Sequence, residues 1–406
     1  VKILCAFGKH NYGKAERGVG YEYANFLPAL RNLGHEVEFF ELWDRSVYAS
    51  FAELNLEFLR AIERMQPDMV LCVTMTTELW LETLEFAHRG SGAAFMHWNT
   101  DDSWKYESCS RLIAPGFDLM ATTYLSAIEK AEKEGFDHFV LTQWAANSVT
   151  MQPPLPASEC RYQASFVGSA YGNRLKWIES LKEYGIDVAC FGHGWPNGSV
   201  AAEEIPRIMR ESVVSLNFAD SGVVMNGMLP ERSRQIKARV FEVPGAGGLL
   251  MTEEADRLGE YYLPDREIVL FDSVENLAEG IKRMNDEHEV RDAMAHAAHE
   301  RTVHEHSYEN RFEILLTEAV ARRAVVPVER QNIDLDAFEK LVEQHRPGFV
   351  LKLLRMLLLL PCRLIWGEIR GARALRRFVF ELSWRISGAK SYSVSGWPGR
   401  LFYHES

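Results

Sequence analysis

Lys237-Ala-Arg-Val-Phe-Glu-Val-Pro-Gly-Ala-Gly-Gly-Leu-Leu-Met-Thr252 decides the fold. Its first half has helical spacing, with Ile236, Val240 and Val243 on one side and Arg239 and Glu242 on another. Pro244 has no amide hydrogen to donate and Gly245, Gly247 and Gly248 follow, so the helix is expected to end at the proline. Leu249-Leu250-Met251 is a short apolar run, the pattern of a strand buried on both faces of a parallel sheet. A helix feeding directly into such a strand puts Arg239 and Glu242 near one edge of an α/β sheet, where open sheets bind ligands.

Working outward, the same alternation fills the chain. Strands are expected over 2–7, 36–41, 68–73, 93–98 and 118–122, and helices over 18–33, 51–65, 78–90, 103–113 and 126–135. Five strands each followed by a helix make a doubly wound parallel sheet. The polar, proline-rich run Gln152-Pro-Pro-Leu-Pro-Ala-Ser158 reads as a linker. Beyond it the scheme repeats, with strands over 162–167, 187–191, 213–218 and 268–271, and helices over 174–184, 205–211 and from 274 through 320. The expected architecture is α/β: two Rossmann-like doubly wound domains, 1–150 and 159–322, facing across a cleft, plus a basic helical tail over 330–406. The cleft is the expected site.

A chain of 406 residues predicts two to three domains, and 47% hydrophobic with 25% charged residues is ordinary for a globular enzyme. The six cysteines form no Cys-x-x-Cys pair and several fall in apolar runs, which reads as buried thiols of a cytosolic protein. The opening Val-Lys-Ile-Leu-Cys-Ala-Phe is a strand rather than a signal peptide, and the absent initiator Met suggests trimming or processing. The net charge of −12 is unevenly spread. From Arg346 onward eleven Lys/Arg face three acids, a net +8, which leaves −20 on the preceding 345 residues. An acidic body argues against nucleic-acid binding and for a local attachment through the tail.

Several loops carry candidate chemistry. Gly8-Lys-His-Asn-Tyr-Gly13 and Gly18-Val-Gly20 follow the first strand but do not make a dinucleotide fingerprint. The amides at Gly18 and Gly20 either face a phosphate or serve a turn. His97-Trp-Asn-Thr-Asp-Asp-Ser103 ends the fourth strand, where an α/β sheet places its chemistry. There His97, Asp101 and Asp102 are the candidate catalytic residues, although Asp102 or Ser103 equally suits a helix cap. In the second half, Gly168 and Ser169 permit close backbone approach by a phosphate, and Arg174 either supplies its countercharge or is a solvated helix residue. Phe191-Gly192-His193-Gly194-Trp195 suits a base-stacking wall or an ordinary turn, and Asn217 ends a strand at the same edge. His296, His299, His304 and His306 lack the partners of a metal site and read as a solvated helix face. The Asp-Asp pair is likewise no Asp-x-Asp motif, so no catalytic metal is expected.

The tail segment Phe349 to Trp366 approaches the length of a membrane span, but Lys352, Arg355, Pro361 and Arg363 argue against crossing. Arg370, Arg373, Arg376 and Arg377 continue a basic face beside Phe378, Phe380 and Trp384. Residues 346–390 either lie in an anionic membrane surface or pack as a helical pair on the body or a second subunit, and the pattern slightly favours the membrane.

Arg239-Val-Phe-Glu242, the small-residue turn, Leu249-Leu-x-Thr252 and Glu267-Ile-Val-Leu-Phe271 together resemble the CgeB-like branch of group 1 GT-B glycosyltransferases. Leu277-Ala-Glu-Gly-Ile281, Arg291 and His306-Ser-Tyr-x-x-Arg311 continue the resemblance, which is clearest over roughly residues 160–320. It implies the GT-B fold and transfer of a sugar from a nucleotide-diphosphate donor to an acceptor that is a glycan, a lipid-linked sugar or a protein. It also implies that Glu242 holds the ribose hydroxyls, that the loop with Gly18 and Gly20 sits beneath the diphosphate, and that His97 touches the transferred sugar. Many relatives carry a second glutamate eight residues before Glu242, where this chain has Arg234. With no metal or other cofactor expected, Arg239 and Lys237 are the groups that would neutralise the leaving diphosphate. An epimerase or hydrolase of the same fold and a non-catalytic sugar-nucleotide scaffold are the alternatives.

Overall fold

The first sheet is built from β1 (Lys2–Phe7), β2 (Glu36–Glu41), β3 (Met69–Cys72), β4 (Ala94–Asn99), β5 (Leu119–Thr122) and β6 (Phe139–Leu141). Every neighbour is parallel and the spatial order is β2-β1-β3-β4-β5-β6. All positions of β3, β4 and β5 are buried, as strands covered by helices on both faces must be. The order reverses between β1 and β3, and the carboxyl ends of strands beside such a point form a ligand-binding crevice in open α/β sheets. Strand β6 has three residues, too short a run to stand out in the sequence. The helix expected over 103–113 is broken: Asp102–Lys105 and Arg111–Ile113 flank a wider, π-type turn at Tyr106–Ser110.

The second sheet holds β7 (Tyr162–Val167), β8 (Ala189–Phe191) and β9 (Ser212–Asn217). An antiparallel hairpin of β10 (Asp220–Asn226) and β11 (Leu229–Arg234) follows as a separate ribbon, and β12 (Leu250–Glu253) and β13 (Val269–Phe271) complete the sheet. Its order, β13-β12-β9-β7-β8, repeats that of the first five strands, with the reversal between β7 and β9. The decisive stretch forms a helix over Arg239–Gly245 and then β12. Pro244 lies inside that helix rather than ending it, and the chain leaves one residue later. Phe166, Phe218, Phe271, Trp177 and Trp195 pack edge to face or tilted at 5.3–6.0 Å, and each such pair is worth about 0.5–1.5 kcal/mol beyond area burial.

The computed structural model describes residues 1–401 except 76–77, 227–228, 326–330 and 392; the side chains of 221–226, 229–233, 325, 369, 389 and 390 also lie outside that description. The chain divides into two compact units, Val1–Thr142 with Phe312–Ser406, and Gln143–Arg311. Residues 312 onward therefore fold within the first unit, where Phe312 packs on Phe26 at 5.0 Å and Phe338 on Phe86 at 5.5 Å. The Glu82 carboxylate clasps the last described turn by accepting from the Val394 and Ser395 amides at 2.9 and 3.2 Å. All six cysteines are free, four of them buried, and burial pushes the Cys109 and Cys190 thiols up to about 12.

In the second unit the proline-rich run is pinned by Arg291, whose side chain is fully buried. Its guanidinium donates to the carbonyls of Val213, Leu155 and Ser212 at 2.9, 2.7 and 2.8 Å and to Asp292 at 3.0 Å. Arg291→Met keeps much of the volume and orphans those acceptors. It is expected to cost about 3 kcal/mol in urea unfolding, and a loss under about 1 kcal/mol would show that the linker is held by packing instead.

Candidate functional site

The candidate residues fall in two clusters, one at the carboxyl edge of each sheet. In the first unit, His97 on β4 is paired in register with Cys72 of β3 and Met120 of β5. It is 2% exposed. Nε2 accepts from the Thr74 amide at 3.2 Å, which leaves the imidazole proton on Nδ1, and Nδ1 makes no hydrogen bond among the described residues. Burial and then the Lys105 charge lower the His97 pKa to about 3. The ring is therefore a neutral donor rather than an acid near pH 7.

The two acids after β4 separate. Asp101 is partly exposed and lies 3.6 Å from the Lys105 ammonium. Asp102 is buried and accepts from the Ser110 hydroxyl, while its Oδ2 has no partner among the described residues. It caps no helix with its side chain. Burial raises its pKa to about 6, against the pull of the Ser110 hydrogen bond and Lys105. A further acid joins them: Glu22, in the first turn of the helix Tyr21–Asn32, is buried and raised to about 7, chiefly by desolvation. The charge of Lys105 acts on His97, Asp102 and Glu22 alike, so one ammonium serves a desolvated cluster. Sequence reading passed over Glu22; its signal was a carboxylate two residues after Gly20 at a helix start.

The preceding loop is occupied with itself. Gly18 donates its amide to Ala15 at 3.1 Å and Gly20 to Lys9 at 2.8 Å, and the Asn11 side chain closes the loop onto Val19 at 2.9 Å. Neither glycine amide is left over for a phosphate in this arrangement.

In the second unit, β7 runs straight into Gly168, which has a φ of +155°. Its amide donates to the Phe191 carbonyl at 2.8 Å, and its carbonyl accepts from the Trp195 indole at 2.7 Å. At Gly192 a Cβ would stand 2.4 Å from that same carbonyl, so glycine is required for the two loops to cross. Trp195 is thereby drawn into the core and is no base-stacking wall, whereas His193 stays exposed and its carbonyl holds the Ala170 amide at 2.8 Å.

Arg174 is buried rather than solvated. It donates to the Ser169 carbonyl at 2.8 Å and the Tyr171 hydroxyl at 3.0 Å, and its Nε has no partner among the described residues. Arg239, at the start of the helix Arg239–Gly245, brings a second guanidinium to the same place. The two lie 5.2 and 5.3 Å from the centroid of the Phe166 ring, and an added Cβ on Gly168 would sit 3.0 Å from Arg239 Nη2. Burial lowers the Arg174 pKa, with Tyr171 opposing it and the Arg239 charge adding to it. The Asp220 carboxylate stands close enough to offset part of that repulsion. Lys237 and Glu242 flank Arg239, all three half-buried. Asn217, at the end of β9, is fully buried; it donates to Thr252 at 2.9 Å and keeps an unpartnered Oδ1 among the described residues.

Two further facts escaped the sequence. Arg234 ends β11 with its guanidinium 3.9 Å from buried Glu253, which also accepts the Ala219 amide at 2.9 Å. The histidines on the late helices are partly interior: His299 and His306 meet the carbonyls of Pro244 and Tyr261 at 2.9 and 3.0 Å, and His306 is buried.

Residues 174–317 match the family model described as "Glycosyl transferase-like", a span that includes Arg174, Asn217, Lys237, Arg239 and Glu242. Sucrose-phosphate synthase from Thermosynechococcus elongatus is similar in structure, with a TM-score of 0.53 at 12% identity over 80% of this chain and 99% of that one. HepE of Anabaena, solved in complex with UDP and glucose, gives 0.52 at 12% over 78% and 99%. A glycosyltransferase from Rickettsia africae ESF-5 gives 0.51 at 13% over 79% and 98%. The fold is GT-B. No curated protein matches the chain. The GT-B assignment accounts for the repeated strand order and for two polar edges in one chain, since each half is a doubly wound sheet with its own reversal point.

Asp102 holds its proton more tightly folded than unfolded. The stability it contributes is complete below its ordinary pKa of 3.8 and is lost as the pH rises through about 6. Asp102→Asn should therefore raise stability at pH 8 by up to about 3 kcal/mol and leave it nearly unchanged at pH 4. Equal effects at both pH values in urea titrations would contradict a desolvated carboxyl.

Proposed function

We propose that this protein is a glycosyltransferase that takes a nucleoside-diphosphate sugar as donor and needs no divalent metal to neutralise the diphosphate. The observation that carries the reading is the pair of guanidiniums, Arg174 and Arg239, gathered on Phe166 beside the Gly168 turn. Cleavage of the sugar–phosphate bond leaves extra negative charge on the diphosphate, and prepositioned cations in a dry setting stabilise it most. Lys237, half-buried two residues before Arg239, adds a third cation. Glu242, one helical turn from Arg239, is the acceptor for both hydroxyls of the ribose. Gly168, Ser169, Gly192 and His193 supply the backbone beside the phosphates, and Asn217 keeps an Oδ1 with no partner among the described residues at the same edge. HepE of Anabaena, which shares the fold, was solved with UDP and glucose, in keeping with a donor of this class.

On the first unit, His97 serves as a neutral donor to a sugar hydroxyl. Asp101, with Asp102 and Glu22 beside it, is the group that orients and deprotonates the acceptor hydroxyl. Asp102 and Glu22, whose carboxyl pKa values burial raises, are the alternative proton acceptors, since a base with a pKa near the working pH combines availability with strength.

Isothermal titration with UDP, GDP and ADP tests the donor half. One of them should bind, and Arg174→Ala or Arg239→Ala should weaken it by about tenfold or more, the worth of a charge-assisted hydrogen bond. Glu242→Gln should weaken the same nucleotide but not its 2′,3′-dideoxy analogue. No heat with any nucleotide, or an equal Glu242→Gln penalty on both forms, would remove the reading.

A further inference from the structure

The helices Phe349–Trp366 and Glu368–Ser387 pack against each other as a hairpin in the first unit. Gly371 makes the close crossing possible, since a Cβ there would meet the Cys362 carbonyl at 2.5 Å. The second arm is fixed to the body: Arg111 pairs with Glu381 at 3.0 Å and lies 4.5 Å from the Trp384 ring, and Leu375, Val379 and Phe380 are buried. The first arm is different. Only Leu359 of its eighteen residues is buried, although its mean hydropathy is that of a core helix.

Phe349, Leu353, Met356, Leu360 and Leu364 recur at three- and four-residue steps, and with Trp366 they are 40–80% exposed. On the second arm Phe378, Leu382 and Ile386 repeat every four residues and are 42–73% exposed. An apolar surface of this extent in water marks an interaction site. The charge says what covers it. The two arms hold eight Lys/Arg against two Glu, a net +6, on a chain of −12. Lys352, Arg363, Arg370, Arg373, Arg377 and Arg385 are exposed with the apolar residues. A second copy would bring a second +6 against the first. No described helix is long and apolar enough to cross a bilayer.

We propose that this hairpin lies in the plane of an anionic lipid bilayer, its apolar rows among the acyl chains and its cations on the headgroups. Amphipathic basic helices bind in this way, through apolar burial added to attraction for anionic lipid. The acidic body would otherwise be repelled from such a surface, so the hairpin both supplies the adhesion and sets which side of the first unit meets it.

The test is vesicle flotation of the full chain with phosphatidylcholine alone and with added phosphatidylserine, at low and high salt. Binding is expected only with phosphatidylserine and should weaken with salt. The exposed pair Arg373→Gln with Arg377→Gln should reduce it about twentyfold, each basic residue being worth roughly fivefold at such a surface. Leu360→Asp with Leu364→Asp should abolish it while leaving the thermal melt and nucleotide binding unchanged. Failure to float with phosphatidylserine, or equal flotation of all variants, would overturn the proposal. So would a concentration-dependent dimer in analytical ultracentrifugation that Leu360→Asp with Leu364→Asp dissolves, since the occupant would then be a second copy.

Discussion

The chain crossing at Gly168 and Gly192 is the constraint on which the second unit's edge depends. Two loops from neighbouring strands pass so closely that a side chain at Gly192 would overlap the Gly168 carbonyl. That carbonyl also takes the Trp195 indole hydrogen, which anchors the turn to the aromatic core. With the turn fixed, Phe166 presents its ring to Arg174 and Arg239, and the two guanidinium charges act on one another with Asp220 nearby. Folding fixes both guanidiniums in advance, and donors held in this way need no reorganisation to act.

The first unit solves the opposite problem. There one ammonium, Lys105, stands among desolvated groups: His97, which burial keeps neutral, and Asp102 and Glu22, whose carboxyl pKa values burial raises to about 6 and about 7. The break in the helix after Asp102 allows this, because the wider turn at Tyr106–Ser110 brings the Ser110 hydroxyl back onto the Asp102 carboxylate. An unbroken helix would leave these residues two turns apart along the axis. Paired guanidiniums mark the edge of the second unit's sheet, and buried carboxyls mark that of the first.

Much of this was legible in the sequence because buried parallel strands announce themselves as apolar runs. The stretch from Lys237 to Thr252 forms helix, turn and strand in the expected order, and Asn217 closes its strand, whereas His97 lies two residues inside the end of β4. What stayed hidden depends on contacts distant along the chain. Trp195 resembles a ligand platform until its bond to Gly168, twenty-seven residues away, is seen. Arg174 follows a loop and has a polar neighbourhood in sequence, yet it is buried on a phenylalanine eight residues earlier. The β10–β11 ribbon escapes notice because Pro230, Glu231 and Arg232 dilute any alternation. Glu22 could not be told from a solvated first-turn acid without knowing that Lys105 lies near it.

Whether the fixed arginine charge beside Gly168 receives a diphosphate is decided by a crystal structure with a bound nucleoside diphosphate. The account predicts phosphate oxygens within hydrogen-bond distance of the Arg174 and Arg239 guanidiniums and a ribose diol on Glu242. A nucleotide seated elsewhere, with both arginines keeping only their protein contacts, would contradict it.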